Sequence, residues 1–198
     1  MKRRIDPGYQ PVPSVFRPRD LDKLELSRNQ LRSMLRAGEV GQIGRGLYRH
    51  HAAETTELET VATICARVPN AIVCLLSALA IHDIGTQQPP EIWIALDRKA
   101  RKPRFDDVRV RVVRFSGPML HHGVTMRVIQ GVPVQITSPA RTVVDCFRYR
   151  NKVGLDIALE ALRDALGRKL ATVDELVGTA KACRIYSVMK PYLQAVLA

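Results

Sequence analysis

Cysteine is sparse in this chain, and its four members, Cys65, Cys74, Cys146 and Cys183, stand far apart with no CxxC pair among them. That spacing speaks against a zinc framework or a disulfide scaffold, so the thiols read as reduced and packed among apolar neighbours. Long hydrophobic runs are missing too: the longest, Ala71 to Ile81, is too short to cross a bilayer and carries Ser77 within it. The first residues, Met1-Lys2-Arg3-Arg4, lead into Pro7, Gly8, Pro11 and Pro13 instead of an apolar segment, so no secretion signal is expected. A soluble, cytoplasmic protein without a membrane partner is the expectation. There is no glycine-rich phosphate loop, no Ser/His/Asp set, no DxD-type nucleotidyltransferase pair, no internal repeat and no low-complexity tract. The pairs His50-His51 and His121-His122 have no carboxylates at metal-ligand spacing, so neither metal nor cofactor is expected.

Acidic residues are also in the minority, 19 against 31 lysines and arginines, for a formal charge of +12. Such a surplus favours polyanions, because basic side chains displace the counterions condensed on nucleic acid. With 46% hydrophobic residues, 198 residues can build one generous domain or two small ones.

The most informative stretch runs from Ser27 to Tyr48. Ser27 with Gln30 three residues on makes a capping-box pattern that starts a helix. Leu31, Met34 and Leu35 then share one side, and Arg28, Asn29, Arg32, Ser33 and Arg36 the other, until Gly38 ends the helix. Arginines at 28, 32 and 36 repel one another at i, i+4 spacing, at roughly 0.2–0.5 kcal/mol per pair in an isolated helix. An anionic partner would relieve that cost. Upstream, Arg19 to Leu24 can form a short helix after Pro18, with Glu25-Leu26 as the connection of a helix-turn-helix. Downstream, Val40, Ile43, Leu47 and Tyr48 bracket the hairpin tip Gly44-Arg45-Gly46.

The order and spacing of these elements, with the ending Arg45-Gly46-Leu47-Tyr48, resemble the winged N-terminal domain of the AbiEi family of antitoxins from type IV toxin–antitoxin systems. Two later strings add to the resemblance: Leu76-Ser77-Ala78-Leu79, and Ser138-Pro139-Ala140-Arg141-Thr142-Val143-Val144-Asp145, of which Ser138, Arg141, Thr142 and Asp145 are the motif residues. The resemblance implies a DNA-binding antitoxin that represses its own operon at double-stranded operator DNA and counters a nucleotidyltransferase toxin through its C-terminal part. Arg28 and Asn29 would then face base edges, with Arg32, Arg36 and the wing residue Arg45 on phosphates or a minor groove and Ser33 on the same DNA-binding face. Arg3, Arg4, Arg49, Lys99, Arg101 and Lys102 are candidates for further phosphate contacts. One departure concerns the helix that usually precedes the helix-turn-helix, since prolines forbid it in residues 1–15. A helix over about 56–67, bearing Leu58, Val61, Ala62 and Cys65, is expected to cover Leu21, Leu24, Leu31 and Leu35 instead.

Farther along, Ala71 to Ile84 reads as an apolar stretch turning helical near Leu75, with Ser77 and His82 as packing residues. Glu91 to Asp97, Val108 to Phe115, Gly123 to Ile129 and Gly131 to Ile136 read as strands, the last an edge strand or bulged because of Pro133. After Ser138 the chain is helical: Ser138 caps, Pro139 takes the first position, and Arg141 and Asp145 can pair. Helices follow at about 154–166, 173–182 and 185–197, the last kinked at Pro191. The expected class is α+β, with a winged helix-turn-helix over residues 1–55 and a mixed α/β domain over 56–198 that carries a small, mostly antiparallel sheet and a helical C-terminus. Two other readings fit some residues. A transcriptional regulator without a toxin partner needs only the winged module, and a Mg-dependent nuclease would use Asp83, Asp97 and Lys99 as a D…DxK set. The latter string is short and Asp97-Arg98 opens a basic loop, so no catalytic residue is assigned.

Overall fold

A computed structural model of the chain describes residues 15–44, 46–51 and 58–197. The chain falls into two compact units, Met1–Arg67 with Val128–Pro133, and Val68–Arg127 with Val134–Ala198.

In the first unit, strand β1 (Val15–Phe16) leads into two short 3-10 turns, Pro18–Asp20 and Asp22–Leu24, where a single short helix is expected. Pro18 supplies the fixed φ of a first helical position, and the Asp20 carboxylate accepts from the Arg17 amide at 3.0 Å. Glu25, in the left-handed region at φ 54°, closes the second turn before an α-helix can develop. Helix α1 (Arg28–Ala37) follows, then β2 (Val40–Gly44) and β3 (Leu47–His50), and the three strands form an antiparallel sheet in the order β1-β3-β2. Phe16, Leu21, Leu31 and Val40 make the buried cluster of this unit, flanked by Leu24, Leu26, Met34, Leu35 and Tyr48.

The cover assigned to the helix over about 56–67 is thus supplied by β1. Phe16 stacks on Tyr48 with ring centroids 6.0 Å apart. Two apolar residues ahead of Arg17-Pro18 are too short a run for periodicity to register. Helix α2 (Glu59–Arg67) packs against β1 and is tied to the wing at both ends. Glu59 pairs with Arg49 on β3 at 2.9 Å, and Arg67 donates to the Ile43 carbonyl on β2 at 2.7 Å.

The second unit is built on a five-stranded sheet, apart from the tip of its last hairpin, Val128–Pro133, which groups with the first unit. Its strands are β4 (Ile72–Val73), β5 (Ile92–Asp97), β6 (Val110–Phe115), β7 (Val124–Ile129) and β8 (Val132–Thr137), in the order β6-β5-β4-β8-β7. The central strand is the two-residue β4, antiparallel to β5 and parallel to β8, while β5 and β6 are parallel. The sheet is therefore mixed where a mostly antiparallel one is expected. β4 lies inside an apolar run whose strand character only its pairing reveals.

Pro133 does not mark an edge: β8 is interior and β7 is the end strand. The reason is length, since β4 meets β8 only at Gln135 and Ile136, so the missing Pro133 amide deprives no β4 partner. The β7–β8 turn holds Gln130 at φ 49° and Gly131 at φ 78°, the geometry of a two-residue hairpin.

Helices α3 (Leu75–His82), α4 (Pro139–Arg148), α5 (Arg150–Val153), α6 (Leu155–Gly167), α7 (Val173–Ala182) and α8 (Tyr186–Leu197) complete the unit. Trp93, Ala95, Val113 and Phe115 on one sheet face share a core with Leu75, Leu79, Val143, Phe147, Leu162, Leu176 and Leu193 of the helices. Ser77 is buried and its hydroxyl accepts from the Trp93 amide at 2.8 Å, while the His82 ring reaches the Thr137 carbonyl at 2.7 Å. Both are packing residues. Among the described residues no helix is long and apolar enough to cross a membrane.

Candidate nucleic-acid interface

Helix α1 begins as its sequence dictates. The Ser27 hydroxyl accepts from the Gln30 amide at 3.2 Å, and the Gln30 side chain accepts from the Ser27 amide at 2.7 Å, which satisfies two end donors reciprocally. The helix stops at Gly38, whose φ of 70° a side chain would resist. Between these ends Leu31 is buried and Met34 and Leu35 are half-buried, whereas Arg28, Asn29, Arg32, Ser33 and Arg36 are all exposed. Among the described residues none of the three arginines forms an ion pair. One face of α1 is thus anchored by the cluster around Phe16, and the other presents three unpaired cations with an amide and a hydroxyl between them.

The remaining sequence candidates meet different fates. Arg3, Arg4 and Arg45 lie outside the described residues, as does the boundary near 52–56. Arg49 is half-buried and engaged with Glu59. Lys99, Arg101 and Lys102 are exposed on the loop between β5 and β6 in the second unit.

The motif residues Ser138, Arg141, Thr142 and Asp145 come together as an internal polar knot. Ser138 caps α4, its hydroxyl accepting from the Arg141 amide at 3.3 Å. Arg141 and Asp145, both fully buried, pair at 2.9 Å, and the guanidinium also donates to the carbonyls of Met119 and His122 and lies over the Phe115 ring. Thr142 Oγ1 donates to the Ser138 carbonyl at 2.8 Å and lies 2.8 Å from Thr137 Oγ1. Among the described residues one Asp145 oxygen has no partner, and burial pushes its carboxyl up to about 6 against the pull of Arg141. Gly123, at φ 63°, lies so close to this knot that a Cβ there would meet Arg141 Cβ at 2.8 Å. The motif holds the helix to the sheet, with Arg141, Thr142 and Asp145 buried and Ser138 alone part-exposed.

The would-be nuclease trio has other partners. Asp83 pairs with Arg168 at 2.9 Å, and the Asp97 carboxylate accepts from the Lys99 amide at 2.7 Å. Buried Cys65, Cys74 and Cys146 have thiols raised well above their ordinary range by desolvation, as inert packed cysteines should. Sequence pattern gave no sign of β1 or of the part that Phe105 plays beside the basic loop. Apolar residues directly beside basic ones at 15–17 and 104–105 were the available signal.

Comparison with known proteins agrees with the first unit's architecture. The model of a family described as transcriptional regulator, AbiEi antitoxin, matches residues 12–50. No curated protein matches the chain. Among solved structures, the RV2827C protein from Mycobacterium tuberculosis is similar with a TM-score of 0.57 at 17% identity, over 93% of this chain and 76% of that one. At that identity the likeness is one of fold. Residues 12–50, which span β1, α1 and the wing strands, are the segment over which this chain is similar to the AbiEi antitoxin family of transcriptional regulators.

Proposed function

We propose that the chain binds operator DNA through the exposed face of α1, represses its own operon, and through its remaining residues counters a nucleotidyltransferase toxin encoded with it. The observation that carries the DNA half is the unpaired Arg28, Arg32 and Arg36 stripe, held outward by the burial of Leu31 on the opposite side. A helix standing in the major groove places such a face between two phosphate walls. Asn29 offers an amide that can bond adenine in two places, and Arg28 can do the same with guanine. Support for the toxin half is the family match over residues 12–50. A gene for a nucleotidyltransferase immediately downstream would favour it over a regulator acting alone.

Gel-shift titration on the chain's own promoter tests the DNA half, with wild type set against Arg28→Ala and Arg36→Ala. Unchanged affinity in both variants would refute it. Co-expression with the product of the neighbouring gene tests the other half, and growth arrest that the full chain fails to relieve would refute that.

A further inference from the structure

Positive charge is concentrated a second time in the chain, with eight lysines and arginines against three aspartates between Asp97 and Arg114. Part of it is structural. Arg114 donates to the carbonyls of Asp97 at 2.9 Å and Ala100 at 2.8 Å, which fastens the base of the β5–β6 loop. Arg111 pairs with Glu91 at 2.6 Å and lies over the Trp93 ring. Arg101, Lys102 and Arg104 are different: all three are exposed, and among the described residues none forms an ion pair.

These three side chains line a cleft of about 550 Å³ together with Phe105, Asp106, Val108, Val110 and Val112. Val110 and Val112 alternate along β6 and so share one side of it, and Val108 stands in the bend just before the strand. Each is half-buried, as is Phe105. The cleft is therefore lined both by half-buried apolar side chains, one of them aromatic, and by three exposed cations. Among the described residues β6 is also the end strand of its sheet, with no further strand on its outer edge.

A solvated basic turn accounts for the arginines but not for a part-exposed ring and three part-exposed valines among them. Duplex DNA would use only the cations, because its bases are stacked inside and its outer surface is phosphate. An unpaired strand offers a phosphate and a flat base together, which is the combination that a basic groove with an aromatic platform binds. From this pairing of surfaces we infer that the cleft between the β5–β6 loop and β6 is a binding site for single-stranded nucleic acid. A base rests on Phe105 and the valines, and the flanking phosphates lie on Arg101, Lys102 and Arg104. Asp106 can accept from a base amino group. The site is separate from the α1 face and does not depend on the operator reading.

Fluorescence anisotropy of the full chain with end-labelled oligouridylate and oligothymidylate of about 12 nucleotides, and with a duplex of equal length, tests the assignment. Both single strands are expected to bind in wild type, and whichever binds more tightly identifies RNA or DNA as the source. Phe105→Ala should weaken single-strand binding by about five-fold or more, the loss of one stacked base. Phe105→Trp, which keeps a platform, should stay close to wild type. Arg101→Ala/Lys102→Ala/Arg104→Ala should weaken it further and flatten its salt dependence. The Arg28→Ala/Arg32→Ala/Arg36→Ala variant keeps single-strand binding, so failure of the α1 reading and failure of this one are told apart. In that triple variant, which lacks the α1 duplex site, single strands bound no more tightly than the duplex would overturn the proposal. So would unchanged single-strand affinity in Phe105→Ala.

Discussion

Arg141 and Asp145, one helical turn apart on α4 and both fully buried, meet at 2.9 Å and are the polar centre of the second unit. The cost of burying two charges is offset by the carbonyls of Met119 and His122 and by the Phe115 face, yet one Asp145 oxygen stays unpartnered. Removing one member strands the other, at about 3–5 kcal/mol, whereas an apolar replacement of both recovers much of the loss. Asp145→Ala should therefore lower the urea midpoint far more than Arg141→Met/Asp145→Leu. The pH dependence has a definite sign. The Asp145 carboxyl is pushed up to about 6 by burial, above its ordinary range, so the folded chain holds that proton more tightly than the unfolded one. Its contribution to stability is full below about pH 4 and is lost as pH rises through about 6. The stability gap between wild type and Asp145→Asn should be wider at about pH 4.5 than at about pH 7.5. An equal gap at both would show that the group does not titrate in this range.

Phe16 carries a comparable share of the first unit. It is 2% exposed, sits with Leu21, Leu31 and Val40, and stacks on Tyr48 of the wing. Truncating a buried phenylalanine costs about 3–5 kcal/mol, a large part of what so small a cluster can supply. Phe16→Ala should accordingly abolish operator binding without touching any residue of the α1 face. Phe16→Leu should restore most of it. Amide exchange in α1 read alongside affinity would tie the loss to the cluster; unprotected α1 amides are expected in Phe16→Ala alone.

What the sequence disclosed depended on whether the signal was local. The capping box at Ser27 and Gln30, the stop at Gly38, the Gln130-Gly131 turn and the cap at Ser138 are short-range devices, and each appears where its residues stand. The Arg141–Asp145 spacing also foretold a contact, though not its complete burial. Non-local features were hidden. Ile72-Val73 is a central strand only because β5 and β8 flank it, and β1 is a strand only because β3 accepts it. Pro133 misled because a proline forbids a ladder bond only where a neighbour is present to make one. At the candidate interfaces, the arginine stripe was legible from helical spacing, while the cleft at Phe105 needed the fold of the β5–β6 loop to bring ring, valines and charges together.

Base readout and phosphate anchoring on α1 leave different signatures. Arg28 and Asn29 stand in the first turn of α1, Arg32 and Arg36 one and two turns on, all exposed. Losing a bidentate base contact should cost roughly 1–3 kcal/mol and relax preference at one position, whereas losing a phosphate contact weakens binding to all sequences alike. Asn29→Ala is expected to do the first and Arg36→Ala the second. With about five phosphates neutralised, log K should fall against log salt with a slope near −4 to −5, and Arg36→Ala should reduce that slope by about one. A salt-independent affinity would point to a protein partner for this face.

The last prediction is that repression and toxin neutralisation can be separated. Its motive is how the functional residues are distributed: the unpaired arginines of α1 all precede Gly38, and the second unit has its own core, from Ile72 to Leu193, that owes nothing to them. Arg28, Arg32 and Arg36 are exposed and form no ion pair among the described residues, so replacing all three with alanine breaks no such pair and relieves like-charge repulsion along the helix. The triple variant should fold at least as stably as wild type. Promoter-reporter output and growth would be scored in the same cells, with the neighbouring toxin gene under independent control at fixed expression. The triple variant is expected to derepress the reporter fully and to relieve growth arrest as wild type does. If it melts at the wild-type temperature and accumulates to wild-type levels but leaves the arrest in place, neutralisation runs through the DNA-binding face, and the assignment of the two activities to different parts of the chain is wrong.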